Sequence, residues 1–499
     1  MVLLAGVGGL ATEICASRLL APYFGSSTVV WANIIGLILA YLSLGYWLGG
    51  RVADRNPSGS RLGVLLLVAA ALLAVLPLVA RPVLAATVQN LATVAAGAAL
   101  GSFLAALLLF AVPVTLLGMV TPFALRLALR DVASAGAVAG RLYALSTLGS
   151  IAGTFLPALL TIPLVGTQRT LIGAALLIAL AAVPLAARRA ALVGGLIALL
   201  LLVPPGATKP TPGLLADAES RYQYAQVVQG PGGERRLELN EGVTTHSVWR
   251  ASTVLTGGEW DMFLVAPPLV GHPVHRVLII GNAGGTMARA YARFYPEAAI
   301  DGVEIDGTVT ELGRRYLGLG DNPRLRTFEA DGRTFLAQSR TRYDLIIADA
   351  YRQPYIPFHL ATTEFFVAAR AHLQAGGVLA LNLGAVPGDN RLPRAVESTI
   401  AAVFPSTWRW QALRYNALVL GFDRQVSRAE LERRAMSVPL GVDSLRPLLI
   451  HGLAPVAVTS TPMTDDLAPV EWLTDRSIIG YVAAGGRLDE RLLPTAPGS

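Results

Sequence analysis

Seven long apolar runs in the first 205 residues constrain the fold of this chain more than any other feature. A helix that crosses the hydrocarbon core of a bilayer needs about 20 predominantly apolar residues. Runs of this kind occupy 2–23, 28–50, 62–80, 98–120, 141–164, 169–187 and 190–205, the last of them short. They predict a transmembrane helical domain over residues 1–205 with six or seven spans. We therefore expect an integral multi-pass cell-membrane protein that contacts the lipid bilayer, with the weakly apolar segment 83–97 at the interface.

The uneven distribution of charge limits the function classes. Residues 1–210 carry 12 of the 40 basic residues and 3 of the 33 acidic ones, so they account for the positive net charge of +7. A basic chain can bind nucleic acid, but these arginines lie between apolar runs, so we expect no nucleic-acid partner. The single lysine, Lys209, excludes Schiff-base chemistry in the C-terminal part. Because there is one cysteine and no histidine pair at metal-binding spacing, we expect no metal.

A segment dense in proline and glycine, PPGATKPTPG, ends the apolar part. We expect a linker at 206–214 and a small β-unit at 215–250, where apolar and polar residues alternate. Over 251–430, strand and helix patterns alternate, which predicts an α/β Rossmann-like domain with a doubly wound parallel sheet. Residues 431–499 are expected to form a C-terminal extension. The predicted strands of the sheet are 277–281, 299–305, 324–329, 344–349 and 377–382.

A strand and a glycine-rich turn, VLIIGNAGGT at 277–286, precede a helical pattern, which is typical of a nucleotide-type cofactor site. The turn departs from the dinucleotide fingerprint G-x-G-x-x-G because Ala283 stands at the second glycine. Gly281, Gly284 and Gly285 remain candidates for cofactor binding. The turn contains no lysine or arginine that would bind a pyrophosphate.

Acidic residues lie at the ends of the next three predicted strands. Glu304 follows Gly281 by 23 residues, and a carboxylate at this tip can accept both ribose hydroxyls. Asp331 and Gly332 follow the third strand, where a carboxylate and backbone amides can bind adenine. Asp349 ends the fourth strand. Because ligands of such sheets bind beyond the carboxyl ends of the strands, these acids should face one crevice. The crevice fits a cationic, adenosine-bearing sulfonium better than a pyrophosphate.

At these residues the sequence resembles the spermidine synthase (polyamine aminopropyltransferase) family, and more closely its membrane-fused members. Over roughly 219–425 the resemblance rests on RYQ, GNAGG, VEID, ADGR, YDLIIADAY and PFHLATTEFF. In the apolar part it rests on ICASRLLAPYFGSS, GYWLGGRVADR and GRLYALSTLGSIAGTFLPALL. The domain that the resemblance implies is Rossmann-like and of the class I methyltransferase type.

The resemblance also implies a reaction. Decarboxylated S-adenosylmethionine would donate its aminopropyl group to an amine, with release of methylthioadenosine. Asp349 would be the catalytic carboxylate that orients and deprotonates the amine. Glu304 would hold the ribose, Asp331 and Gly332 the adenine side, and Gln223 the thioadenosine side.

The acceptor side departs from the family pattern. Ala283 stands where the family has an acid in its glycine loop, and the second acid expected after the fourth strand is missing. Arg352 places a positive charge where a polyamine would favour a negative one. The tyrosine–acid pair that the family carries before the sheet appears only as Trp260 and Asp261. Asp261 and Tyr351 are the remaining candidates for binding a putrescine-like or atypical amine.

Two other functions stay open from the sequence. One is a methyltransferase that uses intact S-adenosylmethionine, which a cationic group for the methionine carboxylate would favour. The other is a transporter or sensor whose soluble part only binds nucleoside, but such a protein should have lost Asp349. A second copy of the chain, in a homodimer, is a further candidate partner. His246 and His359 are more typical of hydrogen-bonded structural groups than of ligands.

Two arguments place the soluble domain on opposite sides of the membrane: the distribution of arginines among the loops, and the need for a sulfonium donor that is made in the cytoplasm. Arginines cluster at 51–61, 126–141 and 188–189, and the positive-inside rule places these clusters in the cytoplasm. Seven crossings would then leave the soluble domain outside, away from sulfonium donors made in the cytoplasm. We expect that 190–205, the shortest run, does not cross, so that the catalytic domain is cytoplasmic. An extra crossing by 83–97 is the alternative.

Overall fold

The structure, a computed structural model, describes residues 1–25, 28–91, 97–204, 206–240, 245–351 and 355–484. The chain divides into two compact units, which are described separately. The first unit combines residues 1–212 with 217–225 and 239–242. The second unit combines residues 213–216, 226–238 and 243–499.

Long apolar helices make up most of the first unit. They are α1 (Val2–Phe24), α2 (Thr28–Arg55), α3 (Gly59–Leu91), α4 (Gly97–Ala128), α5 (Ala135–Leu156), α6 (Ile162–Ala181) and α7 (Val183–Leu200). The π-helical segment Pro157–Thr161 joins α5 to α6. Within the described residues, six helices are long and apolar enough to cross a membrane, if the stretch Ala135–Ala181 is taken as one. That stretch breaks at Gly166, where φ is 82°.

The apolar runs predict the positions of these helices well up to residue 128. After residue 128 the agreement is weaker. The predicted run 141–164 covers most of α5 and the start of α6, and the run 169–187 covers the rest of α6 and the start of α7. α7 ends at Leu200 rather than at residue 205. Residues 83–91 of the expected interfacial segment continue α3, whereas 92–96 lie outside the described residues. Extending an existing helix adds one hydrogen bond per residue without a new nucleus, so weakly apolar residues can follow an apolar run in one helix.

Glycines allow pairs of these helices to pack with their backbones close together. A Cβ atom at Gly149 of α5 would lie 2.1 Å from the carbonyl oxygen of Leu3 in α1. One at Gly153 would lie 2.3 Å from the carbonyl oxygen of Val7. Gly45 of α2 packs against the backbone of α4 in the same way. Small residues at such positions are typical of helices that associate in membranes, where van der Waals packing replaces the hydrophobic effect.

A four-stranded sheet follows the helices, in the order β1-β2-β3-β4. Its strands are β1 (Leu214–Glu219), β2 (Tyr224–Gln229), β3 (Arg235–Leu239) and β4 (Thr245–Trp249). β3 and β4 pair antiparallel. The sheet occupies the range expected for the small β-unit, although its first strand begins at the last residue of the predicted linker.

The second sheet has eight strands and a parallel centre. Its strands are β5 (Arg276–Ile280), β6 (Ala299–Glu304), β7 (Leu325–Glu329), β8 (Tyr343–Ala348), β9 (Leu373–Gly384), β10 (Ser406–Trp410), β11 (Asn416–Phe422) and β12 (Leu453–Pro455). Their order is β12-β10-β11-β9-β8-β5-β6-β7. β5 pairs parallel with β6 on one side and with β8 on the other, so the strand order reverses at β5. The predicted doubly wound sheet is confirmed, with an antiparallel edge formed by β10 to β12.

Helices cover both faces of this sheet. They are α8 (Glu259–Met262), α9 (Ala266–Val270), α10 (Thr286–Phe294), α11 (Gly307–Tyr316), α12 (Gly332–Gln338), α13 (Thr363–Ala371), α14 (Arg391–Ala401), α15 (Arg428–Ala435), α16 (Leu445–Gly452) and α17 (Val470–Ala483). Along β5, Val277 packs into one hydrophobic cluster together with Tyr291, and Leu278 packs into another with Phe365. A strand that is buried on both faces needs the near-continuous apolar sequence that β5 has.

The predicted C-terminal extension belongs to the same fold. β12 adds a strand to the eight-stranded sheet, and Val470 at the start of α17 is fully buried in one of its hydrophobic clusters. The Rossmann-like domain therefore continues past the predicted boundary at residue 430. Periodicity did not indicate this because β12 is three residues long, too short to give a strand pattern.

Two glycines of α5 provide a test of the close packing between α1 and α5. We expect Gly153→Ala to lower the melting temperature of the detergent-purified protein, because the added Cβ must push the helices apart at a cost of about 1–3 kcal/mol. Gly140→Ala is the matched control, since a Cβ there would meet no other described part of the chain outside its own helical turn within 4 Å, and alanine favours a helix by about 1 kcal/mol. Equal melting temperatures for the two variants would contradict the packing described.

Candidate active site

The glycine turn after β5 is held against the end of β8. Gly281 has φ 86°, and a Cβ atom on it would lie 2.4 Å from the carbonyl oxygen of Asp349. Its amide donates to the carbonyl of Val303 at 2.9 Å, which ties the turn to β6 as well. Gly285 also has a left-handed backbone, with φ 89°. Both positions favour glycine because a side chain would be strained there.

The remaining amides of the turn are already used inside the protein. Gly284 donates its N–H to Oγ of Ser247 at 2.8 Å, and Ala283 donates to Oε2 of Glu304 at 3.0 Å. A phosphate group would need such amides as donors. The turn is therefore poorly suited to a pyrophosphate, in agreement with the expectation from its sequence.

Glu304 ends β6 beside this turn. Its Oε1 accepts from the amide of Asp306 at 3.1 Å, and Glu329 is its register partner at the tip of β7. Burial raises the pKa of Glu304 to about 7, although the hydrogen bonds from the backbone oppose the shift. The structure thus places the predicted ribose-binding carboxylate at the sheet's carboxyl edge, where a hydroxyl donor would favour its ionised form.

Asp331 caps the N-terminus of α12 at the carboxyl edge of the sheet, where Glu304 also lies. Its Oδ1 accepts from the amide of Thr334 at 2.9 Å, and its Oδ2 lies 2.9 Å from Nε2 of His359. Burial raises the pKa of Asp331, but these hydrogen bonds outweigh it and hold the pKa below its usual value. A Cβ atom on Gly332 would lie 2.3 Å from the side chain of Ile280, so the backbone passes close to β5 at the predicted adenine position.

Asp349 follows β8 and lies against the glycine turn. Its amide donates to the carbonyl of Ile280 at 2.9 Å, and its Oδ1 accepts from Nδ2 of Asn382 at 2.8 Å. Burial raises the pKa of Asp349 to about 8, the negative charge of Glu259 adds to the shift, and the bond from Asn382 opposes it. A carboxyl group with a pKa this close to neutral is suited to exchanging protons near physiological pH.

Sequence reasoning missed Glu259 and Asn382. Burial raises the pKa of Glu259, on the short helix α8, to about 7. Asn382 lies in β9 and is 4% exposed. Each had a signal in the sequence, because Glu259 and Asp261 are the two charged residues of the segment EWDMFLV and Asn382 interrupts the apolar strand VLALNLG.

The carboxylate of Asp261, a predicted acceptor-binding group, is hydrogen-bonded by its own loop. It accepts from the amide and hydroxyl of Thr256, and from the amide of Gly257 at 2.7 Å. Its role toward an acceptor stays a prediction, and its visible role is to hold the loop before α8.

Tyr351 and Gln223, the other predicted ligand-binding residues, lie in different units. The hydroxyl of Tyr351 donates to the carbonyl of Asn382 at 3.0 Å and accepts from the amide of Gly384 at 2.7 Å. Gln223 lies between β1 and β2, where its amide donates to Oγ of Ser220 at 3.1 Å. The binding roles of both stay predictions.

The segment 463–483, here called the C-terminal strap, holds the loop that follows Asp349. Oδ1 of Asp465 accepts from Arg333 at 2.6 Å and from the hydroxyl of Thr362 at 2.8 Å. Oδ1 of Asp475 accepts from the hydroxyl of Tyr355 at 2.5 Å. No sequence pattern indicated these contacts, since they join residues more than 100 positions apart. Residues 352–354 of the loop, including Arg352, lie outside the described residues.

Taken together, the carboxyl groups at this edge of the sheet favour positive charge. Glu259, Glu304 and Asp349 are carboxyl groups with pKa values raised by burial, and a cationic ligand would offset the cost of ionising them. The guanidinium of Arg333 beside the site is already paired with Asp465. The class that the fold defines is a Rossmann-like α/β domain, with carboxyl groups gathered at the carboxyl edge of its parallel strands.

Comparison with known proteins narrows this class. Residues 262–412 match the family model of the spermine/spermidine synthase domain, which confirms the resemblance for that region. The chain is 37% identical over 192 residues to a probable polyamine aminopropyl transferase of Bifidobacterium longum, covering 38% of this chain and 42% of the relative. It is 36% identical over 130 residues to polyamine aminopropyltransferase 1 of Pseudomonas aeruginosa, covering 25% and 45%. The chain thus spans less than half the length of these curated relatives.

A solved spermidine synthase in complex with the transition state analogue AdoDATO is also similar, at 23% identity and a TM-score of 0.36. The similarity covers 42% of this chain and 74% of that one.

The contact between Gly281 and Asp349 can be tested by stability. We expect Gly281→Ala to lower the free energy of unfolding by about 1–2 kcal/mol through backbone strain, and by about 1–3 kcal/mol more through the clash with the carbonyl of Asp349. Gly233→Ala is the control, because Gly233 has φ 78° and, apart from its chain neighbours, no described residue lies within 4 Å of a Cβ built there. Denaturant titrations in which both variants lose the same stability would show that the clash does not exist.

Proposed function

We propose that this protein is a membrane-bound polyamine aminopropyltransferase. It transfers the aminopropyl group of decarboxylated S-adenosylmethionine to an amine and releases methylthioadenosine. The observation that carries the proposal is the partly buried carboxyl group of Asp349, held by Asn382 at the carboxyl edge of a parallel sheet that also bears Glu304 and Asp331. The similarity to polyamine aminopropyltransferases supports the same reaction.

The nucleoside part of the donor lies along the tips of β5, β6 and β7. Glu304 accepts the ribose hydroxyls, and Asp331 with the backbone of Gly332 binds the adenine edge. Gln223 contributes from the thioadenosine side. No metal is required, since the sulfonium is itself an activated leaving group. The negative charge of the crevice favours this sulfonium over a neutral nucleoside.

The transfer is a single displacement. The acceptor amine enters as an ammonium ion and gives a proton to the carboxylate of Asp349. Its nitrogen lone pair then forms a bond to the carbon beside the sulfonium, the carbon–sulfur bond breaks, and the electron pair returns to sulfur as the neutral thioether of methylthioadenosine. Positioning of amine and carbon supplies most of the acceleration in such a reaction. Because Asp349 must be ionised, activity should rise with pH through the region near its raised pKa of about 8.

Glu259 supplies the second negative charge of the acceptor site. The acid that the family carries after the fourth strand is absent from this chain, and the carboxylate of Asp261 is engaged by Thr256 and Gly257. Glu259 interacts electrostatically with both Asp349 and Tyr351. We infer that the acceptor is a small amine whose ammonium group lies between Glu259 and Asp349.

Two variants separate donor binding from chemistry. Asp349→Asn should keep its affinity for methylthioadenosine but lose turnover by about 100-fold or more. Glu304→Gln should lose nucleoside affinity, since each hydrogen bond to the charged group is worth about 1.5–3 kcal/mol. Turnover is followed by mass spectrometry of products with a panel of amines, and affinity by calorimetry. Glu297→Gln, at an exposed acid before β6, is the control.

The outcomes distinguish the competing functions. A methylated product from intact S-adenosylmethionine would replace the proposal with a methyltransferase. Nucleoside binding without any product would favour a transporter or sensor. Normal turnover by Asp349→Asn would reduce that residue to a structural group at the strand end.

We further propose that the catalytic domain lies on the cytoplasmic side of the cell membrane, where the donor is made. The candidate span Val183–Leu200 is the shortest, at 18 residues. The 47-residue stretch Ala135–Ala181 breaks at Gly166 and is counted as two crossings, so a chain that does not cross at Val183–Leu200 makes six crossings and ends on the side of the arginine-rich loops. In intact cells, we expect external protease to leave the linker at 206–214 and the soluble domain uncut. Cleavage there from outside, with permeabilised cells as the positive control, would overturn this placement.

A further inference from the structure

Two asparagine side chains form a hydrogen-bonded chain that ends on Asp349. Nδ2 of Asn416, at the start of β11, donates to Oδ1 of Asn382 at 3.0 Å. Nδ2 of Asn382, in β9, donates to Oδ1 of Asp349 at 2.8 Å. β9 and β11 pair antiparallel, so both asparagines are fixed on neighbouring strands of the sheet.

The first bond of this chain determines the direction of the second. An asparagine side chain can turn its amide by 180°, which exchanges its oxygen and nitrogen. Asn416 donates to the oxygen of Asn382, so the nitrogen of Asn382 faces the carboxyl group of Asp349. The reverse orientation would bring two donors together at Asn416 and two acceptors together at Asp349.

Tyr351 fixes the backbone of Asn382 as well. Its hydroxyl donates to the carbonyl of Asn382 at 3.0 Å and is itself held by the amide of Gly384 at 2.7 Å. Within the described parts of the chain, Asn382 is the one side chain that donates to Asp349. The oxygen Oδ1 of Asp349 is therefore occupied, whereas Oδ2 remains for another donor.

We propose that Asn382 and Asn416 are positioning residues that hold Asp349 with Oδ2 directed to the acceptor amine. The proposal rests on the transferase function above and adds two residues to it. Asn382 restricts the rotation of the carboxyl group and assigns its two oxygens to different tasks. Asn416 acts one step further away, since it contacts Asn382 and not the reacting atoms.

Asn382 and Glu259 act on the pKa of Asp349 in opposite directions, so their removal should shift that pKa in opposite directions. The N–H of Asn382 stabilises the carboxylate, so its loss should raise the pKa of Asp349 further. The negative charge of Glu259 destabilises the carboxylate, so its neutralisation should lower that pKa. Among the described residues, Tyr351 also faces Asp349; burial raises the pKa of Tyr351, so it stays neutral over this range.

The test measures kcat against pH in the full-length protein with donor and acceptor saturating. For Asn382→Leu we expect the acid limb to move up by about 1 pH unit or more, as the loss of a hydrogen bond to a charged group requires, with kcat reduced at least about tenfold. Asn416→Leu should also move the acid limb to higher pH, but by a smaller amount than Asn382→Leu. Glu259→Gln should shift it down. Methylthioadenosine affinity should stay within about twofold of wild type for the two asparagine variants.

If the acid limb of the pH profile is unchanged in both asparagine variants, the proposal is wrong, and Asn382 is only a buried amide whose hydrogen bonds stabilise the fold. Asn416→Ala, at the partly exposed start of β11, provides the same readout if Asn382→Leu does not fold. If the wild-type protein transfers no aminopropyl group to any amine, the proposed function fails first, and this result is distinct from an unshifted limb in an active enzyme.

Discussion

The parallel pairing of β5 with β8 is the constraint on which the site of the second unit depends. It places the amide of Asp349 on the carbonyl of Ile280 and brings the turn at Gly281 against the backbone of Asp349. The turn proposed to border the nucleoside and the carboxylate proposed for proton transfer are therefore parts of one junction. Because this junction is made of backbone atoms, the two halves of the site cannot shift apart without breaking the sheet.

Burial of negative charge is the second feature that organises this site. Carboxyl groups are costly to ionise away from water, and Glu259, Glu304 and Asp349 have raised pKa values for this reason. Asp331 differs because His359 and the amide of Thr334 compensate its charge. A cation bound beside these groups would offset part of the cost of ionising them, so their burial would favour cationic ligands over neutral ones.

The sequence predicts the parts of this protein whose signals are local. Apolar runs locate α1 to α4, and short strand patterns locate β5 to β8. Of these strands, β6 ends at Glu304, and β7 and β8 end within two residues before Asp331 and Asp349. Long-range contacts leave no such signal: the placement of Glu259 near Asp349 depends on how α8 packs. The bond between Asn382 and Asp349 depends on sheet order. Neither periodicity nor motif spacing contains that information.

The C-terminal strap has a consequence for the order in which the protein matures. Asp465 and Asp475, which hold Thr362 and Tyr355 in the loop after Asp349, are translated more than 100 residues after that loop and long after the apolar helices. During synthesis the Rossmann-like strands can pair while this loop still lacks its partners. This loop therefore gains these contacts only after more than 100 further residues have been translated, which separates the biogenesis of the apolar helices in time from the completion of the loop.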